Sequence, residues 1–132
     1  MKNERKDLIE AAKKARENAF APFSNFKVGA ALETADGKVY AGCNIENASY
    51  GLTVCAERVA IWKALSEGER AFSQIVVAAD TDELTPPCGA CRQIIWEFCG
   101  DIPVTLTNLR DKSETVKMSE LLPRAFGREF LE

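Results

Sequence analysis

Histidine is absent from this chain of 132 residues. The commonest metal ligand among protein side chains and the commonest general acid or base at neutral pH are therefore both excluded. The five cysteines and the 20 aspartates and glutamates are what remains for such roles. Any metal centre or proton transfer in this protein must depend on thiolates and carboxylates.

Long hydrophobic runs are also missing. No apolar stretch approaches the roughly 18 residues that a membrane-spanning helix needs. The charged start of the chain is followed by a charged predicted helix and not by the apolar stretch that a secretory leader would have. We therefore expect a cytoplasmic protein without a membrane partner. An odd number of cysteines in a reducing compartment predicts free or metal-bound thiols rather than a disulfide framework.

An excess of positive charge is missing as well. The formal net charge is −3, so the chain as a whole does not attract phosphate backbones, and a nucleic acid polymer is disfavoured as a partner. The hydrophobic share of 46% and the charged share of 28% are typical of a globular protein. Because no repeat, low-complexity tract or linker interrupts the chain, we expect a single domain over residues 1–132.

Hydrophobic periodicity predicts helices and strands in alternation. Helical spacing predicts a first helix over residues 4–20 that Pro22 stops, and the Asp36-Gly37 pair predicts a hairpin turn. The other expected elements are strands at 26–32, 38–42 and 75–79, helices over 55–68 and from 88 onward, edge strands at 104–106 and 114–117, and a short helix at 119–122. This order predicts an α/β fold, a three-layer α/β/α domain around a mixed sheet of roughly five strands.

Two short motifs concentrate the chemistry of the chain. A Cys-Ala-Glu triplet at residues 55–57 is followed, about thirty residues later, by a Pro-Cys-Gly-Ala-Cys run at residues 87–91. Thiolates at Cys55, Cys88 and Cys91 would fill three corners of a zinc tetrahedron. A closed structural site has four protein ligands, whereas a catalytic site keeps one position open. The pattern therefore favours a catalytic zinc site.

The residues beside these cysteines favour the same interpretation. Each motif lies at the start of a predicted helix, whose N-terminus carries partial positive charge and stabilises a thiolate. Glu57 lies two residues from a predicted ligand and is the candidate for proton transfer. Arg58 follows it and is the candidate to balance the charge of the three thiolates by donating to a sulfur atom.

Other interpretations of the cysteines stay open at this point. A Cys-x-x-Cys pair on its own is also found in structural zinc sites and in redox dithiols. A fourth ligand would have to be Cys43 or Cys99. Cys99 lies more than two helical turns beyond Cys91, about 12 Å along the axis. Cys43 directly follows a strand and is equally well explained as a small buried hydrophobe.

Together with their flanks, the two motifs resemble the cytidine deaminase family, in its small, homotetrameric, three-cysteine form. The family signature is His-x-Glu with Pro-Cys-x-x-Cys, and it allows a third cysteine in place of the histidine. The matching stretches are residues 26–32, 42–58 and 88–93, and the resemblance extends over nearly the whole chain. It implies the mixed α/β/α fold of that family and one Zn²⁺ per subunit.

The resemblance implies an enzyme of pyrimidine salvage. Such a zinc hydrolase deaminates cytidine and deoxycytidine to uridine and deoxyuridine and releases ammonia. Glu57 would be its catalytic residue, because a carboxyl beside the metal takes a proton from water and passes it to the pyrimidine. Cys55, Cys88 and Cys91 would be the metal ligands, and Arg58 the charge-balancing residue.

The resemblance also implies contacts with a nucleoside. By position, Asn44 and Glu46 match the residues that bind the ribose hydroxyls, and Phe26 matches the aromatic residue beside the base. The backbone N–H of Ala56 and the carbonyl of Thr53 would contact the edge of the base.

Further substrate contacts are expected to come from neighbouring subunits. The family builds each site with help from adjacent chains of a homotetramer, and the matching positions in this sequence are Ala48, Tyr50 and Phe126. The expected partners are therefore a small nucleoside and three further copies of the chain.

Two alternative functions remain. The protein could deaminate a modified cytosine nucleoside, such as a nucleoside antibiotic. It could also be a zinc-stabilised binding module without catalysis, in which case Glu57 would be dispensable.

Overall fold

A mixed sheet of five strands forms the centre of the molecule. The computed structural model describes residues 2–131, with side chains described from Arg5 onward; Met1 and Glu132 of the predicted domain lie outside the described residues. The strands are β1 (Val28–Thr34), β2 (Val39–Cys43), β3 (Phe72–Ala79), β4 (Pro103–Thr107) and β5 (Ser113–Lys117). Their order across the sheet is β2-β1-β3-β4-β5. Only the pair β3–β4 is parallel, and the other three pairs are antiparallel.

Helices cover both faces of this sheet. They are α1 (Lys2–Arg16), α2 (Ala56–Ser66), α3 (Gly89–Cys99) and α4 (Met118–Leu121). Side chains alternate between the two faces of a strand, so neighbouring residues enter different cores. Ala31 of β1 packs with α1, whereas Ala30 and Leu32 pack with α2 and α3. The expected three-layer α/β/α arrangement with a five-stranded mixed sheet is confirmed.

The strand expected at residues 75–79 is confirmed as the central one. It forms most of β3, and Ile75, Val76, Val77, Ala78 and Ala79 are all buried. An uninterrupted apolar run is typical of a strand that helices cover on both faces. It lies between two partners: β1 pairs with it from residue 72 to 79, and β4 pairs with residues 75–78.

The position expected for the strand at residues 104–106 was wrong. It forms part of β4, which lies between β3 and β5 and not at an edge. Thr105 and Thr107 are buried there, and their hydroxyls are hydrogen bonded, Thr105 to Thr115 Oγ1 across the sheet at 2.8 Å. A threonine whose hydroxyl has a partner can be buried, so the polar residues do not indicate an edge. The strand expected at 114–117 is confirmed at an edge, as β5.

The first helix ends earlier than expected. It stops at Arg16 and not at residue 20. The backbone of Phe20 is engaged elsewhere: its N–H donates to the carbonyl of Asn44 at 3.0 Å, and its carbonyl accepts from Glu46 at 2.8 Å. This short bridge pulls the chain out of the helical path before Pro22, and it ties residues 20–27 to residues 44–46.

Gly42 allows α2 to lie close against the edge strand β2. A Cβ atom at this position would come within 2.7 Å of the Ala60 nitrogen and 2.9 Å of the Ala56 carbonyl oxygen. Both are backbone atoms of the helix, and they cannot move aside without shifting it. The absence of a side chain at Gly42 therefore sets the position of the first turn of α2.

The hairpin turn is confirmed at Gly37, which has a φ of 92°. Among the helices of the described chain, none combines the length and the apolar character needed to cross a bilayer.

Candidate active site

Two helix N-termini carry the cysteines. Cys55 immediately precedes α2 and Cys88 immediately precedes α3, and both have extended backbone conformations. Each carbonyl accepts the first hydrogen bond of its helix, from Val59 at 3.2 Å and from Arg92 at 2.9 Å. Cys91 lies in the first turn of α3. The free N–H groups and the partial positive charge of both helix ends are therefore close to the thiols.

The three predicted ligands lie together. The Sγ atoms of Cys55, Cys88 and Cys91 are all within 4.8 Å of one another, and those of Cys55 and Cys88 are 4.0 Å apart. Zinc with Zn–S bonds of about 2.3 Å in a tetrahedron holds its sulfur ligands roughly 3.8 Å apart. The thiol cluster therefore fits zinc in both donor type and spacing, with three protein ligands.

Arg58 contacts this cluster. Its Nη2 atom donates a hydrogen bond to Cys55 Sγ at 3.3 Å, as expected from its position in the sequence. Hydrogen bonding from the Cys91 thiol, together with that from Arg58, lowers the pKa of Cys55 to about 5 although the residue is partly buried. The protein therefore favours a thiolate at Cys55.

Cys91 is the most deeply placed of the three. It is fully buried, and its hydrogen bond to Cys55, together with burial, raises its pKa above the ordinary value for a thiol. Because metal binding requires deprotonated thiols, coordination at this cluster releases protons. Cys88 is exposed, so the cluster is open on one side.

Glu57 is buried in the first turn of α2, with 4% of its surface exposed. Burial raises the pKa of this carboxyl to about 7. An ordinary glutamate has a pKa well below neutral pH and is ionised there, whereas the raised pKa of Glu57 makes its protonated form easier to reach. Such a group can accept and donate protons near pH 7, which is the property a general acid and base needs.

The two remaining cysteines lie outside the cluster. All five cysteines are within the described residues and are free thiols, and only Cys55, Cys88 and Cys91 approach one another closely enough to share an ion. Burial raises the pKa of Cys99 to about 12 and also raises that of Cys43. These shifts are typical of thiols that serve as small apolar side chains.

Asn44 holds the backbone beside it. Its Oδ1 accepts from the N–H of Val28 at 2.8 Å, and its Nδ2 donates to the carbonyl of Phe26 at 2.7 Å. The residue is buried. A side-chain amide has two hydrogens and two acceptor lone pairs, so half of this capacity braces the segment that carries Phe26. Phe26 lies before β1, and its ring is partly exposed.

Glu46 lies at the rim of an open cavity of about 300 Å³. The residues that line the cavity are Phe23, Ser24, Glu46, Tyr50 and Thr53. Hydrogen bonding from Ser24 lowers the pKa of the Glu46 carboxyl below its usual value. The cavity therefore presents a carboxylate and aromatic rings, a combination that suits a ligand with hydroxyl groups and a flat apolar part.

The residues expected to act in neighbouring subunits are exposed. Tyr50 is 75% exposed and Phe126 is 56% exposed, and Ala48 is exposed too. The Tyr50 ring meets that of Phe23 edge to face, with centroids 6.1 Å apart. Phe126 stacks on Phe130 at 5.7 Å.

Two contributors to the site were missed in the sequence. Ser24 and Phe23 line the cavity, and both donate backbone hydrogen bonds to Glu46. A polar residue two positions before the expected aromatic contact was the only signal for Ser24.

Arg92 was missed as well. It donates to the carbonyl of Pro87 at 2.8 Å and to that of Leu121 at 2.8 Å, and so holds the loop that delivers Cys88. Its place one residue after Cys91 was a weak signal, because the sequence does not show where an arginine side chain reaches.

Comparisons with known proteins agree with this geometry. A family model described as the cytidine and deoxycytidylate deaminase zinc-binding region matches residues 2–106. The match includes all three clustered cysteines and Glu57.

Individual relatives match over most of their length. A protein from Sporosarcina psychrophila named cytidine deaminase is 54% identical over 125 residues, which cover 94% of this chain and 92% of that protein. One of the same name from Halalkalibacterium halodurans is 54% identical over 127 residues, which cover 96% of each. The crystal structure of a cytidine deaminase from Burkholderia pseudomallei superposes with a TM-score of 0.88 at 54% identity, covering 92% of this chain and 98% of that one.

Proposed function

The chain belongs to the cytidine and deoxycytidylate deaminase family, and on this basis we propose that it deaminates the free nucleosides cytidine and deoxycytidine. The reaction adds water and releases ammonia, and its products are uridine and deoxyuridine. We further propose that each chain holds one zinc ion and that the reaction serves pyrimidine salvage.

The observation that carries the proposal is the meeting of three thiols with a buried carboxyl. Cys55, Cys88 and Cys91 are within metal-sharing distance, and Glu57 is buried two residues from the first of them. A structural site would need a fourth protein ligand, and Cys43 and Cys99 are not in the cluster. The geometry therefore supports catalysis over a zinc-stabilised binding module.

The three cysteines would hold the metal, and Arg58 would offset part of their negative charge through Cys55. Zinc bound in such a site supplies Lewis acidity, which makes water nucleophilic near neutral pH.

Glu57 would carry the protons of the reaction. Its pKa of about 7 lets it take a proton from the attacking water and give it to ring N3 of the pyrimidine. Glu57 would then take the second proton from the hydroxyl group added at C4 and pass it to the amino group, which leaves as ammonia while the C4 carbonyl of the product forms. The carboxyl is returned to its starting state at the end of each cycle.

The nucleoside would be bound by the residues that the sequence singled out for contact with ribose and base, of which Glu46 and Thr53 line the cavity. Glu46 and Asn44 would contact the ribose hydroxyls, and Phe26 would lie beside the base. The N–H of Ala56 in the first turn of α2 would meet the edge of the base, and so would the carbonyl of Thr53. Glu46 supports this role best, because it lines the cavity and keeps its charge there.

We further propose a homotetramer in which Ala48, Tyr50 and Phe126 complete the sites of neighbouring subunits. Large aromatic side chains as exposed as Tyr50 and Phe126 are typical of contact surfaces. A cytoplasmic location is supported by the five free thiols, which persist in a reducing compartment.

Replacement of Glu57 by glutamine tests the reaction. The parent protein should convert cytidine to uridine. The conversion is measured as the change in ultraviolet absorbance. The E57Q variant should lose about 10²–10⁴-fold in kcat while keeping its zinc, because only proton transfer is removed. E67Q is the matched control, since Glu67 lies exposed at the opposite end of the same helix.

Each outcome has a distinct meaning. Equal activity of E57Q and the parent would contradict the role of Glu57. Inactivity of both would favour the binding module. Preference of the parent for a modified cytosine nucleoside over cytidine and deoxycytidine would favour the alternative substrate.

A further inference from the structure

We propose that Ser24 is a positioning residue for the sugar-binding end of the site and that it acts by holding Glu46 in place. The proposal rests on the proposed function, because it takes Glu46 as the residue that accepts a hydrogen bond from the ribose. Ser24 lies in residues 21–27, outside the two motifs that carry the metal chemistry.

The Glu46 carboxylate is held by three donors from two consecutive residues. Its Oε1 atom accepts from the backbone N–H of Phe23 at 2.9 Å and from that of Ser24 at 3.1 Å. Its Oε2 atom accepts from the Ser24 hydroxyl. Only this third donor is a side chain, so it is the only one that a substitution can remove without altering the backbone.

The Ser24 hydroxyl is also connected to Phe26. Its oxygen accepts from the backbone N–H of Phe26 at 3.0 Å. A serine hydroxyl has one hydrogen and can accept through its lone pairs, so it donates to Glu46 while it accepts from Phe26. One side chain thereby links the proposed ribose contact to the proposed base contact.

The bonding capacity of the carboxylate indicates what remains for a substrate. An ionised carboxylate offers about four lone-pair positions. Three are taken by the donors from Phe23 and Ser24. Glu46 therefore keeps roughly one position, and Ser24 determines its direction.

The charge of Glu46 is maintained by the same contacts. Among the described residues that line the cavity, none is a lysine or an arginine, so the donors described above, which are dipoles and not cations, stabilise the carboxylate. The Ser24 hydrogen bond is the largest cause of its lowered pKa. Removal of the hydroxyl should leave the carboxylate freer to rotate and less able to accept from a sugar hydroxyl.

The test compares S24A with the parent on two substrates, cytidine and 2′,3′-dideoxycytidine, which lacks both ribose hydroxyls. With cytidine, S24A should raise KM about tenfold with kcat changed less than twofold, because a hydrogen bond to a charged group is lost. With dideoxycytidine, kcat/KM should be the same in S24A and the parent.

Two further variants separate positioning from folding. S24T keeps the hydroxyl at an exposed position and should restore the KM of the parent. S73A is the matched control. The Ser73 hydroxyl donates to the Glu33 carboxylate at 2.7 Å, which is the same kind of hydrogen bond, made on the sheet and outside the cavity. It should leave both kinetic constants unchanged.

An equal loss on both substrates, or a failure of S24T to restore KM, would overturn the proposal and indicate a purely structural role for Ser24. An unchanged KM of S24A for cytidine would also overturn the proposal. Inactivity of the parent toward cytidine would contradict the proposed function itself. Equal kcat/KM of the parent on cytidine and dideoxycytidine would contradict the ribose role of Glu46.

Discussion

Two glutamates of the site have carboxyls whose pKa values move in opposite directions, and their surroundings explain why. Glu57 is buried, so the charged form is disfavoured and its pKa rises to about 7. Glu46 accepts hydrogen bonds from Ser24 and Phe23, so the charged form is favoured and its pKa falls. One carboxyl thereby suits proton transfer, and the other suits binding of a hydroxyl group.

Zinc content tests the ligand set at the scale of single residues. C55A, C88A and C91A should each lose stoichiometric zinc after dialysis, because two thiolates bind the ion far more weakly than three. Zinc per subunit is measured by atomic absorption.

The double variant C43S/C99S is the control for these three. Both residues lie outside the cluster, so the variant should keep one zinc per subunit. Stoichiometric zinc in C55A, or its loss from C43S/C99S, would mean that the ligand set is wrong.

Placement of α2 is the main structural requirement at the scale of elements. The helix brings Cys55, Glu57 and Arg58 to the site in one turn. Its distance from β2 depends on Gly42, where a Cβ would meet the backbone of Ala56 and Ala60. A residue on a strand thus controls the position of the proposed metal ligand and proton carrier on a helix.

G42A should therefore lower both stability and activity. Forcing a methyl group against helix backbone costs about 1–3 kcal/mol, which lowers the melting temperature by several degrees. The measurement is thermal unfolding followed by circular dichroism.

G51A is the control for G42A, because a Cβ at Gly51 meets nothing within 4 Å. Its melting temperature should stay within about a degree of the parent's. An unchanged melting temperature in G42A would show that α2 adjusts to the added methyl group.

Assembly is the question at the scale of the whole molecule. A single chain exposes Tyr50 and Phe126, and the proposed tetramer places them in neighbouring sites. One variant can remove a residue that a chain contributes to its own site, and another can remove a residue that it contributes to a neighbouring site. Mixing the two variants should then restore activity in some of the sites.

Mixed tetramers of E57Q and Y50A test this sharing. An intact site takes Glu57 from a Y50A chain and Tyr50 from an E57Q chain, so random 1:1 assembly should recover about a quarter of the parent activity. The mixed species is isolated with two different affinity tags and assayed with cytidine.

Mixed tetramers of E57Q and C55A are the matched control. Cys55 and Glu57 come from the same chain in each site, so no intact site forms and no activity should return. Equal recovery in both mixtures, or a stable monomer by size-exclusion chromatography, would contradict the shared sites.

Much of this could be predicted because the information is local. Cys55, Cys88 and Cys91 were identified from their spacing, and the helix N-termini beside them follow from the periodicity of the flanking residues. The buried run at 75–79 indicated the centre of the sheet. Each of these depends on short motifs, although the Cys55 and Cys88 motifs are themselves about thirty residues apart and only the resemblance joined them before the structure.

What could not be predicted depends on contacts between distant segments. The end of α1 at Arg16 is set by the bridge from Phe20 to residues 44–46. The interior position of β4 is set by its pairing with β3 and β5. The hydrogen bonds from Ser24 to Glu46 join two segments that are 22 residues apart, and no sequence pattern indicates that these segments meet.

The sequence by itself limited the chemistry: without histidine, a metal ligand or a proton carrier had to come from the thiolates and carboxylates of the chain. Only the tertiary structure decided how those groups behave. Burial in the fold makes Glu57 titrate near neutral pH, and a turn folded against residues 44–46 keeps Glu46 charged. The physical reason is that residue type sets which chemical groups are present. Burial and hydrogen bonding set the pKa values of those groups and the orientation of their side chains. Burial and these hydrogen bonds arise only when distant parts of the chain meet.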